Sequence, residues 1–266
     1  MKAEHILVKF EEENLPDEYR EYYAAKRNNF FATIQAAPFV WAAFMLLDEI
    51  WIRELQNMRT AIDTSRMFPL VLFMNGHAKI RIGLELAFSG CLPEAYSLFR
   101  DATESVAHGH RLFSDPELQK LWLSKYDDPN ALDRFMQEFW HSKEDKLFDG
   151  LPELYRLWKR YSEWGSHANP ISIVSRFVIN ETPKHIEWRL NYTGVEPRML
   201  VPALFEVLLA FHVMEVVLFG DCHDRLKLDP DLVAMRLKFE RDKEELRRGI
   251  IRTFNIPPPA SLSSAP

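Results

Sequence analysis

The stretch MLVPALFEVLLAFHVMEVVLF, Met199 to Phe219, decides how the rest of the chain is read. It is apolar on nearly all faces, so it reads as a helix from about Pro197 at the centre of a helical body. Glu206 and His212 interrupt it as polar groups that burial obliges to find partners, in the core or at an interface. Downstream, Asp221 to Lys227 reads as a turn. The run DPDLVAMRLKFERDKEELRRGIIRTF, Asp229 to Phe254, is amphipathic, with Arg236 and Arg248 near Glu240 and Glu244 on a solvated face. The tail NIPPPASLSSAP, 255–266, is Pro-rich and expected to be disordered.

Upstream of Met199, ISIVSRFVIN and KHIEWRLNYTG alone have a β-like composition. A two-stranded hairpin across Glu181 to Lys184 is expected. Before them the punctuation is helical throughout. Asn14-Leu15-Pro16-Asp17 opens a long helix running to about Ile62, kinked or split at Pro38. Phe68 to Phe88 forms another, ended by Ser89-Gly90. Pro93 then starts the helix Glu94 to about Phe113. Ser114-Asp115-Pro116-Glu117 reads as a capping box on Ser114, Asp128-Pro129-Asn130 opens a helix to about Lys146, and Gly150-Leu151-Pro152 precedes one ending at His167. Trp122, Trp140 and Trp158 on these short helices read as packing wedges. The expected fold is all-α, a mainly antiparallel helical bundle with a small β-hairpin insertion near residues 173–193. A single domain, 1–254, is the simplest count.

The bulk numbers narrow the function classes. Thirty-three basic against 39 acidic residues give a net charge of −6, which argues against a nucleic-acid coat protein but leaves room for a local basic groove. Cys91 and Cys222 fit neither a zinc site nor a disulfide framework, so buried thiols in a reduced compartment are expected. MKAEHILVKFEEEN has no apolar export region, and HILVKF within it reads as an edge strand or a wrapping segment; a cytoplasmic setting follows. FFATIQAAPFVWAAFMLL, Phe30 to Leu47, contains Gln35 and Pro38 and runs into Asp48 and Glu49. It reads as core helix or dimer interface, with no stable membrane insertion. The absence of P-loop, Gly-x-Gly-x-x-Gly, Gly-x-Ser-x-Gly, His-Glu-x-x-His and Cys-x-x-Cys patterns excludes the familiar α/β nucleotide enzymes.

Two helices carry the candidate chemistry. In KRYSEWGSHANP, Lys159 to Pro170, Arg160 and His167 lie seven apart, about two α-helical turns, and hence on one face. An arginine there can hold a phosphate while an imidazole moves a proton; equally, His167 can be a helix-end residue facing the dipole. In SLFRDATESVAHGH, Ser97 to His110, Arg100 and Glu104 sit four apart among apolar residues, as an anion site or as a clamp on the neighbouring helix. Tyr161, Ser162 and Ser166 complete the polar cluster. Glu138-Phe139-Trp140-His141 matches one half of a di-iron carboxylate motif, but His212-Val213-Met214-Glu215 has the order reversed. No metal and no cofactor are expected.

The motifs LPEAYSLFRDATES and YSEWGSHANP, spaced by helix and followed by a short extended region and a long apolar helix, resemble an uncharacterised bacterial all-helical family distantly similar to HEPN-like and abortive-infection proteins. The matching positions are Ala95, Leu98, Arg100, Glu104, Tyr161, Ser162, Ser166 and His167, within residues 68–220. The resemblance implies a homodimer with paired Arg…His motifs facing an RNA cleft and a metal-independent endoribonuclease of a defence or stress system. Arg160 would then bind phosphate, His167 transfer the proton, and Arg100 with Glu104 orient them. Tyr161 stands where that superfamily has Asn, Asp or His after the Arg, and Gly165 sits just before the His. The competing reading is a non-enzymatic helical scaffold or interaction module, with a possible protein partner and the same residues as a structural cluster.

Overall fold

The computed structural model describes residues 15–59, 67–127, 129–140, 143–166, 177–182, 185–190, 197–223, 226 and 228–254. Proline punctuation sets most helix starts, because proline's fixed φ suits the first turn, where its missing N–H is not needed. Helix α1 (Asp17–Ala36) follows Pro16, with Asp17 and Glu18 in its first turn. Pro38 does not kink a continuous helix; it starts a new one, α2 (Pro38–Arg59), bent from α1 by 98°. Phe30–Leu47 is thereby divided between two helices. Val40, Ala43, Phe44 and Leu47 enter the core, while Phe31, Phe39 and Met45 remain exposed. Phe30, Trp41 and Phe44 pack around the corner on Phe88, with ring centroids 5.1 to 6.1 Å apart.

Helices α3 (Met67–Phe88) and α4 (Leu92–Ser114) form the tightest pair, turning at Gly90 with φ 84°. Gly83 faces Phe99, Gly76 faces Val106 and Gly109 faces Phe73, so the two helices run antiparallel. A Cβ on Gly83 would stand 2.6 Å from the Phe99 ring, so only glycine permits this approach. Helix α5 (Pro116–Leu123) is capped by Asp115, whose side chain accepts from the N–H groups of Glu117 and Leu118; the expected cap at Ser114 is one residue early. Helix α6 (Pro129–Phe135) runs on as a π-turn to Trp140, well short of Lys146. Trp122 and Trp158 are partly buried, but Trp140 lies half exposed under Lys143 rather than wedged into the core. Helix α7 (Pro152–Tyr161) also runs on as a π-turn, Ser162–Ser166.

Helix α8 (Pro197–Cys222) packs against α2, α4 and α7, as its apolar surface requires, and α9 (Pro230–Phe254), capped by Asp229, lies chiefly on α2. Among the described residues, Leu200–Cys222 is long and apolar enough to cross a membrane, with half of that window buried within the fold. The core centres on Phe44, Trp51, Phe73, Phe88, Phe99, Phe139, Phe148, Phe211 and Phe239. Cys91 and Cys222 are buried thiols.

The fold class carries one correction. A β-hairpin insertion near residues 173–193 is expected from composition, yet the described residues are overwhelmingly helical and no β-layer is built among them. Among the described residues, paired extended backbone occurs in two five-residue segments, Phe177–Glu181 and Ile186–Leu190, lying antiparallel with Phe177 opposite Leu190. Two lone strands of this length have no stability of their own. The fold is all-α with a short extended excursion. The expected edge strand at HILVKF and the tail 255–266 lie outside the described residues.

Candidate functional site

The polar cluster expected between α4 and the end of α7 is assembled by one face of α4, along which Ser97, Arg100, Glu104 and His108 succeed one another at helical spacing. Ser97 Oγ donates to the Gly165 carbonyl at 2.6 Å. Gly165 is required there, since a Cβ would stand 2.5 Å from the Ser97 nitrogen. Arg100 Nε donates to Ser162 Oγ at 3.1 Å, and Ser162 Oγ donates to the Trp158 carbonyl at 2.8 Å. The Arg100 guanidinium also lies 5.8 Å from the Trp158 ring and 3.8 Å from Glu104. Glu104 is paired more closely with Lys143, whose ammonium stands over Trp140 and Trp158. The structure thus brings together Arg100, Glu104 and Ser162, and adds Ser97, Lys143 and Trp158.

The other expected members do not join them. Tyr161 is buried, stacked on Tyr96 at 5.5 Å and packed on Phe99. Burial pushes its phenol far up, so it stays neutral; Tyr96 is pushed up to about 12, first by burial and then by the Glu206 carboxylate. Arg160 turns away from Arg100 to Glu206 on α8, at 3.3 Å, with both side chains about half exposed. Glu206, expected as a buried group, is therefore a surface one. His167 lies outside the described residues, as does His141, and of Ser166 only the backbone is described. The two-turn spacing of Arg160 and His167 assumes an α-helix throughout. Residues 162–166 instead form a π-turn, whose i→i+5 bonding rotates each residue less, so that spacing no longer defines one face.

A second cluster escaped the sequence reading as a unit. Glu54 of α2 and Glu215 of α8, both buried, meet the same Arg236 nitrogen from α9. One guanidinium cannot neutralise two carboxylates. Burial, then the charge of Glu215, raises Glu54 from 4.5 to about 10, and burial raises Glu215 as well. The second Glu54 oxygen, Oε2, is buried with no donor aimed at it among the described residues. The two carboxyls hydrogen-bond to each other, and a proton shared between them leaves the pair singly charged and matched to Arg236. Outward from it, His212 sits 2.8 Å from Glu240, which Lys243 also holds at 2.6 Å. Burial, then Lys243, lowers His212 to about 4. The only local signal was an acidic residue inside each of two apolar helices; its partner Arg236 is 182 residues from Glu54.

Two further histidines bind carboxylates between helices, His77 to Asp48 at 2.8 Å and His110 to Asp221 at 2.7 Å. His108, buried against Phe139 and Trp122, has no partner for Nδ1 among the described residues; burial, then Lys143, Lys125 and Arg111, lowers it to about 3. Glu138 is held by Arg111 and Lys146. Among the described residues no group of three or more His, Cys, Asp or Glu is placed to hold a metal ion. No family model, curated protein or solved structure matches the chain.

Proposed function

We propose that the chain is a non-enzymatic helical interaction module, in which the Arg100, Glu104, Ser162 and Lys143 cluster locks α4 to the end of α7. The observation that carries this reading is that each described member of the cluster is committed within the fold: Arg100 to Ser162, Glu104 to Lys143, Tyr161 to a buried aromatic stack, Arg160 to Glu206. A catalytic pair needs at least one group free to meet a substrate, and a buried neutral phenol moves no proton near neutrality. The module acts through its outer surface, as a cytoplasmic homodimer or with a protein partner. The exposed Phe31, Phe39 and Met45 beside the α1–α2 corner supply apolar area for such contacts.

One observation favours the HEPN-like endoribonuclease as a second reading. The Arg160–Glu206 pair is half exposed, and such pairs are held by under about 1 kcal/mol, so a phosphate can displace Glu206. The deciding experiment incubates purified protein with mixed RNA, with and without EDTA, beside the Arg160→Ala and His167→Ala variants. No cleavage is expected for any of them, with a dimer by light scattering. Cleavage by the unmodified chain that both variants abolish overturns the module and installs the nuclease.

A further inference from the structure

The turn that closes α5 places one ammonium among three aromatic rings. Lys125 Nζ lies 4.2 Å from the ring centroid of Trp122, 4.7 Å from Phe135 and 5.0 Å from Tyr126. Each distance falls inside the roughly 6 Å over which a ring quadrupole attracts a cation, so the three together form a cage around it. The rings come from separate parts of the chain: Trp122 from the last turn of α5, Tyr126 from the turn that follows, Phe135 from the end of α6. Two walls are fixed. Phe135 is buried and stacked on Phe139 at 5.1 Å, and Trp122 packs on Phe68 at 5.0 Å. The third wall is open to water, with Tyr126 81% exposed. Among the described residues Lys125 makes no ion pair, and its ammonium lies against the three rings.

The geometry points to this cage as a binding site for a quaternary ammonium group, with Lys125 as a tethered placeholder that the ligand displaces. A primary ammonium carries three N–H donors and is strongly hydrated, and π faces satisfy those donors poorly. A trimethylammonium group has no donor to satisfy and presents methyl groups to the rings. Exchange therefore returns the better hydrated cation to water and leaves the worse hydrated one in the cage. Lys125 can leave on its flexible four-carbon stem through the Tyr126 side, with no backbone movement required. Because the placeholder is covalently attached, it competes at a high effective concentration and holds the apparent affinity of the unmodified chain low. A free choline-type solute and a trimethylated lysine side chain present the same group.

The test is calorimetric titration of the full chain with choline chloride and, in a parallel arm, with trimethyllysine, against sodium chloride as the ionic-strength control. Lys125→Ala should bind at least one of the two roughly tenfold tighter than the unmodified chain, since the competitor is gone. Which arm responds identifies the source as a solute or a modified side chain. Adding Tyr126→Ser to Lys125→Ala should remove the gain; that ring is exposed, so its loss leaves the fold intact, whereas Trp122 also supports Phe68. The neutral isostere 3,3-dimethylbutanol should not bind. Equal affinity of Lys125→Ala and the unmodified chain for both ligands, or an isostere that binds as well as choline, overturns the proposal.

Discussion

Glu54→Gln is the sharpest perturbation of the buried pair, because glutamine reproduces the protonated carboxyl in shape and in its hydrogen-bond donor while removing the titration. If Glu54 and Glu215 share one proton beneath Arg236, this substitution costs little near neutrality and changes how stability depends on pH. The sign follows from linkage. Glu54 is raised in the folded protein from 4.5 to about 10, so its contribution is fully present below the unfolded value and is lost as pH rises toward the folded one. Between those limits the unfolded carboxyl has released its proton and the folded one has not. The unmodified chain therefore loses stability relative to Glu54→Gln at up to about 1.4 kcal/mol per pH unit, which is about 4 kcal/mol between roughly pH 5 and pH 8. Urea unfolding followed by tryptophan fluorescence, extrapolated to water at several pH values, measures the gap. Glu54→Gln should be no less stable than the unmodified chain at the upper end, and the difference should widen steadily with pH. Parallel stability curves for the two proteins across that range would refute the shared proton. Arg236→Met gives the complementary result, a loss of about 3–5 kcal/mol, because it removes the one cation that two buried carboxylates share.

Gly165→Ala should lower stability by about 1–3 kcal/mol in thermal unfolding, since its Cβ meets the α4 backbone rather than a movable side chain. Gly249→Ala, with nothing within 4 Å of the added carbon, is the control and should be stabilising by up to about 1 kcal/mol. Arg100→Ala should cost about 1–3 kcal/mol by denaturant titration, because it removes the donor to Ser162 Oγ and the second cation beside Glu104, whereas Arg160→Ala should cost under about 1 kcal/mol. Equal losses in the two variants would contradict the division of roles between these arginines. His108 should show no proton titration by NMR from roughly pH 8 to pH 5. Lowered to about 3 from 6.5, it favours the fold fully above the unfolded value and loses that contribution as pH falls below it; His108→Phe should flatten this acid limb of the stability curve.

The helices were legible in the chain because their boundaries are local chemistry. Pro38, Pro116, Pro129, Pro152, Pro197 and Pro230 each open a helix, and the cause lies in the residue itself rather than in its surroundings. Legibility fell where the cause was not local. The cap on α5 passed from Ser114 to Asp115 because α4 runs through Ser114, which leaves the adjacent and equally competent Asp115 outside both helices to cap the second. Val178 and Trp188 carry strand propensity and lie in extended, paired backbone, but two five-residue segments add no β-layer to a helical fold. At the site, the α4 half was readable because Arg100 and Glu104 stood polar among apolar neighbours and needed partners. Which helix would supply those partners was a matter of packing. Arg160 and Tyr161 show the limit most plainly. They are adjacent in sequence and about 100° apart around α7, so one enters the aromatic core beside Tyr96 while the other reaches α8. A motif read as a string assigns both to one centre. The helix separates them, while Ser162 and Gly165 of the π-turn that follows return to α4.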